Sequence, residues 1–135
     1  MRAWALLALR VSLGWLMVVW GVDKLTDVEH AQRVAESFYL GIGTGAGFLT
    51  VAGVAQILVG VAAVVGWQRR LVWPVLALVN GITLVAVWVS VVDPWGFVLD
   101  GGSLVFYSSA PIFAGILVGW AFMDQDTLAL DHRRA

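Results

Sequence analysis

Arg10 is the residue of this sequence with the strongest need for a chemical partner. It lies six residues, or roughly 9 Å of helix, beyond Trp4 in a run that is otherwise apolar. An arginine at the centre of a membrane helix costs about 2.5–3.5 kcal/mol, so its side chain should face the protein interior. Gln56 and Asn80 lie at comparable depth in two later apolar segments. The three side chains are predicted to form one polar cluster, which either holds the helices together or belongs to a ligand or ion pathway.

A second group of candidate site residues lies where the first apolar segment ends. Asp23 and Lys24 can pair with each other, or with Asp93 and Asp100 after the third segment. As solvated ion pairs they would contribute little stability. As site residues they would line the mouth of an outward cavity that takes a quinone headgroup or a small anion. Three aromatic residues would line it with them: Trp88, Trp95 and Tyr107.

Four apolar stretches must position these residues. Of the 135 residues, 61% are hydrophobic and 13% are charged, a balance that indicates lipid as the main solvent. A membrane span needs about 20 predominantly apolar residues. Residues 3–22, 46–67, 71–92 and 103–123 meet that length. We therefore predict an all-α fold, a polytopic membrane four-helix bundle that forms a single transmembrane domain over residues 1–135.

The basic residues predict how the bundle is oriented. Cytoplasmic loops are enriched in Lys and Arg, and with four spans one side receives five of them: Arg2, Arg69, Arg70, Arg133 and Arg134. Both termini are accordingly expected inside, in the cytoplasmic (inner) membrane of a bacterium or archaeon. Apolar residues recur at helical spacing in the first outward loop, residues 26–40. This pattern predicts a short amphipathic helix at the outer interface.

Several chemistries are excluded or disfavoured by composition. The chain has no cysteine, so it can form neither a disulfide relay nor a thiolate metal site. A net charge of −1 offers no basic surface to nucleic acid. His30 and His132 are expected on opposite sides of the membrane, which argues against a haem held by both. We predict no metal site and can argue for no cofactor held within the chain alone.

Glycine recurs along three of the predicted helices. Gly14 and Gly21 share a stripe with Arg10, and Gly53 and Gly60 share one with Gln56. Gly115 and Gly119 form a small-xxx-small pair in the fourth span. Such stripes allow close helix approach. They are interpreted as packing faces, with a groove for a flat cofactor ring as the alternative.

The first helix and its exit resemble the opening of the DoxX family of small four-helix membrane proteins. The resemblance rests on the run Leu9-Arg10-Val11-Ser12-Leu13-Gly14-Trp15-Leu16 and on Trp20-Gly21-Val22-Asp23-Lys24-Leu25. It continues more weakly from Gly53 to Gly66 and through Arg69-Arg70. It implies that family members often carry glutamate where Gln56 falls. The group that it indicates includes subunits of thiosulfate:quinone oxidoreductase and membrane partners of redox-defence enzymes.

These observations favour a membrane subunit or partner of a quinone-linked redox system. Arg10, Lys24 and Trp88 would then lie near the bound headgroup, and a soluble or membrane oxidoreductase would supply the redox centre. One alternative is a non-catalytic scaffold or assembly subunit whose glycine faces bind other helices. A small-solute transporter is disfavoured by the few polar residues and the lack of an evident inverted repeat, although a homo-oligomer could enclose a path. The residues do not decide whether the chain itself is catalytic.

Overall fold

The chain is entirely helical and irregular, without strands, in the part that the computed structural model describes, residues 1–134. The structure does not describe Ala135, the last residue of the predicted domain, or the side chain of Arg134, one of the basic residues used to predict the orientation. The helices are α1 (Arg2–Thr26), α2 (Val28–Phe38), α3 (Ala46–Val65), α4 (Arg69–Ala86), α5 (Trp88–Val92), α6 (Leu104–Tyr107), α7 (Ser109–Ala121) and α8 (Leu130–Arg134), with a 3-10 turn at Met123–Gln125 before α8.

Four helical segments are long and apolar enough to cross a membrane: Arg2–Thr26, Ala46–Val65, Arg69–Ala86 and Leu104–Ala121. The predicted number of spans is therefore confirmed. Large apolar side chains such as Trp15, Leu58 and Leu78 are exposed on their outer surfaces. A water-soluble bundle would bury these side chains, whereas a bilayer solvates them.

The third and fourth spans are less regular than the hydropathy pattern predicts. Helix α4 ends at Ala86, and a turn at Val87 separates it from the short α5. The fourth span is interrupted at Ser108, between α6 and α7. Pro111 accounts for that interruption, because it has no N–H to donate to the carbonyl of Tyr107 four residues earlier.

Two pairs of glycines bring α1 and α3 into close contact. A methyl group added at Gly14 would lie 2.7 Å from the carbonyl oxygen of Gly60, and one at Gly21 would lie 2.7 Å from that of Gly53. The reciprocal additions at Gly53 and Gly60 would meet the α1 backbone at 2.9 and 2.6 Å. The predicted packing role of these four glycines is confirmed, since no space for a cofactor ring remains between the two backbones.

A second pair of helices completes the bundle. Gly119 of α7 packs against the indole of Trp73 in α4, and a methyl group there would lie 2.1 Å from a ring carbon. Leu13, Leu76 and Ile116 form the buried core between the two pairs. The N-terminus, the α3–α4 turn and the C-terminal segment share one end of the bundle, called here the tail end. Helix α2 and residues 93–103 form the opposite, loop end.

We predict that Gly60→Ala lowers the stability of the bundle while Gly47→Ala does not. The first methyl group would meet the Gly14 carbonyl and the Val18 backbone, whereas nothing lies within 4 Å of the second. Overpacking of this kind typically costs about 1–3 kcal/mol. The difference can be measured by heating the detergent-solubilised variants and using size-exclusion chromatography to quantify the protein that remains folded at each temperature. Equal midpoints would contradict the tight α1–α3 contact.

Candidate functional site

Arg10 is bound to an aspartate from the C-terminal segment. Its Nε donates a hydrogen bond to Oδ2 of Asp126 at 2.7 Å. The Arg10 side chain is 2% exposed and the Asp126 side chain 3% exposed. Removing one member of such a buried pair leaves an uncompensated charge, which is far more costly than replacing both. The pair therefore ties the segment after the fourth span to the first helix.

Arg10 also caps the end of α3. Its Nη1 donates to the carbonyl of Ala63 at 2.7 Å and to the carbonyl of Val64. Carbonyls in the last turn of a helix lack the usual intrahelical partners, and a positive charge there is favoured by the helix dipole. Gly66 ends α3 at φ +74°, and an added methyl group there would lie 3.0 Å from Cζ of Arg10. Helices α1 and α3 and the C-terminal segment thus meet on one guanidinium group.

A second aspartate from the C-terminal segment caps α4. Oδ2 of Asp131 accepts the backbone N–H of Arg69 at 2.8 Å, and Oδ1 accepts that of Gln68 at 3.1 Å. Arg69 in turn donates through Nη1 to the carbonyls of Met123 and Asp126, the latter at 3.1 Å. Asp131 thereby supplies the N-cap acceptor that Gln68, in a left-handed conformation, does not provide itself.

Arg10, Arg69, Asp126 and Asp131 form the tail cluster. Two positive and two negative charges offset each other within this cluster. Oδ1 of Asp126 and Nε of Arg69 are buried without a hydrogen bond, although Nε lies 3.7 Å from Oδ2 of Asp131. Beside the cluster lies an open cleft of about 420 Å³. The cluster connects the segment after the fourth span to α1, α3 and α4.

The predicted cluster of Arg10, Gln56 and Asn80 does not form. Asn80 donates to the carbonyl of Leu76 at 2.9 Å and lies 3.9 Å from the sulfur of Met17. Oε1 of Gln56 is buried without a hydrogen-bond partner. Similar depth was the basis of the prediction, but helical side chains lean toward the N-terminus of their helix. The long Arg10 side chain therefore reaches toward the tail end.

Neither Asp126 nor Asp131 was predicted from the sequence as a site residue. A signal was available in the tail. The predicted membrane segments contain no acidic residue deep enough to neutralise Arg10, and Asp124, Asp126 and Asp131 are the acids that follow the fourth span. A buried charge needs an opposite charge. The need for a counterion could therefore have predicted that the tail folds back onto the bundle.

At the loop end, Asp23 pairs with a histidine rather than with Lys24. Its two carboxylate oxygens lie 3.0 and 2.9 Å from Nδ1 of His30 in α2. Adjacent residues of a helix do not face each other, which explains why the predicted Asp23–Lys24 pair is wrong. Lys24 is half-buried and lies 3.5 Å from the Trp20 carbonyl, with its ammonium 5.8 Å from the centre of the Trp20 ring. Within the described residues it forms no ion pair.

Helix α2 crosses the loop end from α1 to the last two spans. The hydroxyl of Tyr39, just after α2, lies 2.8 Å from Oγ1 of Thr83 in α4. The ring of Phe38 lies 4.5 Å from that of Phe106 in α6. Ala31 and Ala35 are the buried residues of α2. Together with the Asp23–His30 contact, these interactions hold α2 over the loop end of the bundle.

Asp93 is also occupied locally and does not reach Lys24. Its carboxylate accepts the backbone N–H groups of Phe97, Val98 and Leu99 at 3.1, 2.6 and 2.9 Å. The hydrogen bond from Leu99, followed by that from Val98, lowers the pKa of Asp93 below its ordinary value and outweighs the opposing effect of burial. Trp88, the remaining predicted site residue, begins α5 and is about half exposed.

We predict that Arg10→Ala and Asp126→Ala each destabilise the protein by about 3–5 kcal/mol, because each leaves a buried charge without its partner. The double variant Arg10→Ala/Asp126→Ala should cost much less than the sum of the two single changes. Unfolding in graded detergent denaturant gives the double-mutant cycle. Asp124→Ala, at an exposed position in the same segment, is the control. Additive losses would show that the two residues are not coupled.

Acidification is expected to loosen residues 97–99 before the rest of the bundle. Because the folded-state pKa of Asp93 is depressed, its contribution is fully present above the unfolded value of about 3.9 and is lost as the pH falls through the folded value. Amide hydrogen exchange, corrected for the intrinsic effect of pH, should show protection at Val98 and Leu99 falling in that range. The Asp93→Asn variant should show weaker protection that does not titrate; a titration unchanged in this variant would refute the assignment.

A model of the DoxX family matches residues 5–92, which is more than half of the chain. The matched region contains Arg10, Lys24 and Gln56, whereas Asp126 and Asp131 follow it. No curated protein and no solved structure gives a significant match. The family match and the four membrane-spanning segments agree with the resemblance at the first helix. The chain is a multi-pass membrane protein that belongs to the DoxX family.

Proposed function

We propose that this DoxX protein is the membrane subunit of a quinone-linked redox system and that it binds the quinone headgroup at the loop end. The observation that carries the proposal is the half-buried Lys24, which forms no ion pair within the described residues and lies in the helix turn next to the Asp23–His30 pair. A half-buried ammonium group that forms no ion pair, beside a carboxylate that is bound to a histidine, is suited to an anionic or electron-rich ligand.

The chemistry of a quinone matches these groups. Its two carbonyl oxygens accept hydrogen bonds and gain negative charge on reduction, and Lys24 can donate to such an oxygen. His30 is held at Nδ1 by Asp23, so that Nε2 remains to face a ligand. A carboxylate on one ring nitrogen fixes the orientation of the ring. The pair can therefore donate to a quinone or accept from a quinol.

Arg10 is no longer a candidate for the same headgroup. It precedes Lys24 by 14 residues in one continuous helix, which corresponds to about 21 Å. This distance is much longer than a quinone ring, and the Arg10 guanidinium is already bound to Asp126. The proposed site therefore consists of Asp23, Lys24 and His30, with Trp88 near the same end.

In this proposal a partner oxidoreductase, either soluble or in the membrane, supplies the redox centre that exchanges electrons with the quinone. The chain has no cysteine and hence no thiolate redox centre of its own. In the proposed orientation both termini and the tail cluster face the cytoplasm of a bacterium or archaeon, because Arg2, Arg69 and Arg70 lie at that end. Helix α2, which exposes Glu29, Arg33 and Glu36, then covers the outer end of the bundle in the cytoplasmic membrane.

The scaffold alternative loses part of its support. It relied on Gly115 and Gly119 as a face for an external helix. Gly119 packs against Trp73, and a methyl group at Gly115 would lie 3.3 Å from Leu9. Both glycines are thus used within the chain, and the outer surface of the fourth span is formed by larger apolar side chains.

The proposal predicts that Lys24→Met and His30→Ala weaken quinone binding about tenfold or more, the loss expected for one charge-assisted hydrogen bond. Binding can be measured by titrating a soluble short-chain ubiquinone or menaquinone into purified protein and following tryptophan fluorescence. Arg33→Ala is the matched control, because this α2 cation is exposed and its distance to Glu29 is 3.9 Å. Absence of quinone binding by the unaltered protein would refute the function. Binding unaffected by either variant would refute the site.

A further inference from the structure

The loop between the third and fourth spans is a fixed structure that displays apolar side chains. Besides the three N–H groups bound by the Asp93 carboxylate, the Asp93 carbonyl accepts the N–H of Gly96 at 3.1 Å. At the base of the loop, Oγ of the fully buried Ser90 accepts the N–H of Ser103 at 3.1 Å. Gly102 packs so closely on the Asp93 carbonyl that a methyl group there would lie 2.1 Å from its oxygen. The loop therefore holds its shape without a hydrophobic core.

The side chains on the outside of this loop are among the most exposed apolar groups of the protein. Trp95 is 65% exposed, Phe97 81% and Val98 86%. The rings of Trp95 and Phe97 stack with their centres 5.9 Å apart. Asp100 is the only charged residue between positions 94 and 103. The carboxylate of Asp93, just before this range, is bound to backbone N–H groups of the loop. An ordered, nearly uncharged loop thus presents two aromatic rings and a valine outward.

The loop is continuous with the surface that faces lipid. Val92 precedes it, Leu104 and Val105 follow it, and all three are strongly exposed residues at the ends of apolar helices. The other half of the loop end is different, because α2 exposes charged residues. Aromatic side chains prefer the headgroup region of a bilayer, where apolar bodies and polar edges are both accommodated. Charged groups such as those of α2 prefer water.

We infer that residues 94–99 insert into the lipid interface at the loop end and act as an anchor whose conformation is set by the hydrogen bonds to Asp93. Trp95, Phe97 and Val98 lie at the boundary between headgroups and acyl chains, and α2 remains in water beside them. The anchor fixes the depth and rotation of the third and fourth spans relative to the bilayer. It is independent of whether the protein binds a quinone.

The absence of cysteine permits a direct test by single-site labelling. Phe97→Cys and, as a second position, Val98→Cys would be labelled with an environment-sensitive fluorophore and reconstituted into vesicles of phosphatidylcholine and phosphatidylglycerol. Ser37→Cys, exposed on α2, is the matched control. Quenching by nitroxide lipids reports contact with the bilayer, and quenching by iodide reports contact with water.

The anchor predicts blue-shifted emission and nitroxide quenching at positions 97 and 98, together with iodide quenching at position 37. Adding Asp93→Ala to the Phe97→Cys variant should shift the label toward water while the protein keeps its size-exclusion profile. Iodide quenching at positions 97 and 98 equal to that at position 37 would overturn the inference. Protection from both quenchers would also overturn it, since protein rather than lipid would then cover the loop.

Discussion

The whole arrangement depends on the need to neutralise one arginine inside a membrane helix. Arg10 cannot be left unpaired in an apolar surrounding, and its guanidinium carries several donors in a planar fork. One donor binds Asp126, and others bind the last carbonyls of α3. The same side chain therefore joins α1, α3 and the segment that follows the fourth span. Without a folded-back C-terminal segment, the buried charge would lack its counterion.

The remaining architecture is consistent with this requirement. Gly14 and Gly60 let the backbones of α1 and α3 approach closely, which brings the end of α3 within reach of Arg10. Gly66 turns the chain in a left-handed conformation beside the guanidinium, and Asp131 then caps the start of α4. The two ends of the bundle consequently differ in chemistry. At the tail end Arg10 and Arg69 are paired with aspartates, whereas the loop end leaves Lys24 without an ion-pair partner within the described residues.

The sequence predicts some of these features well and others poorly, for physical reasons. Apolar length reveals four spans because a bilayer demands it, and the glycine stripes of α1 and α3 reveal a contact because only glycine permits that approach. The burial of Arg10 follows from its cost in lipid. Its partner does not, because counting residues along a helix gives depth but not the direction of a side chain or the course of a tail. The same limitation explains why Gln56 and Asn80 do not meet Arg10 and why His30 replaces Lys24 as the partner of Asp23.

We propose that the ligand binds at the loop end and that the tail cluster has a structural role. The most direct measurement compares quinone affinity in two variants that both remove a cation from α1. The double variant Arg10→Met/Asp126→Leu replaces the buried ion pair with two apolar side chains, and Lys24→Met removes the loop-end cation. We expect the first variant, once folded, to bind quinone with the affinity of the unaltered protein and the second to bind it weakly. Loss of affinity in the first variant with retention in the second would contradict this proposal.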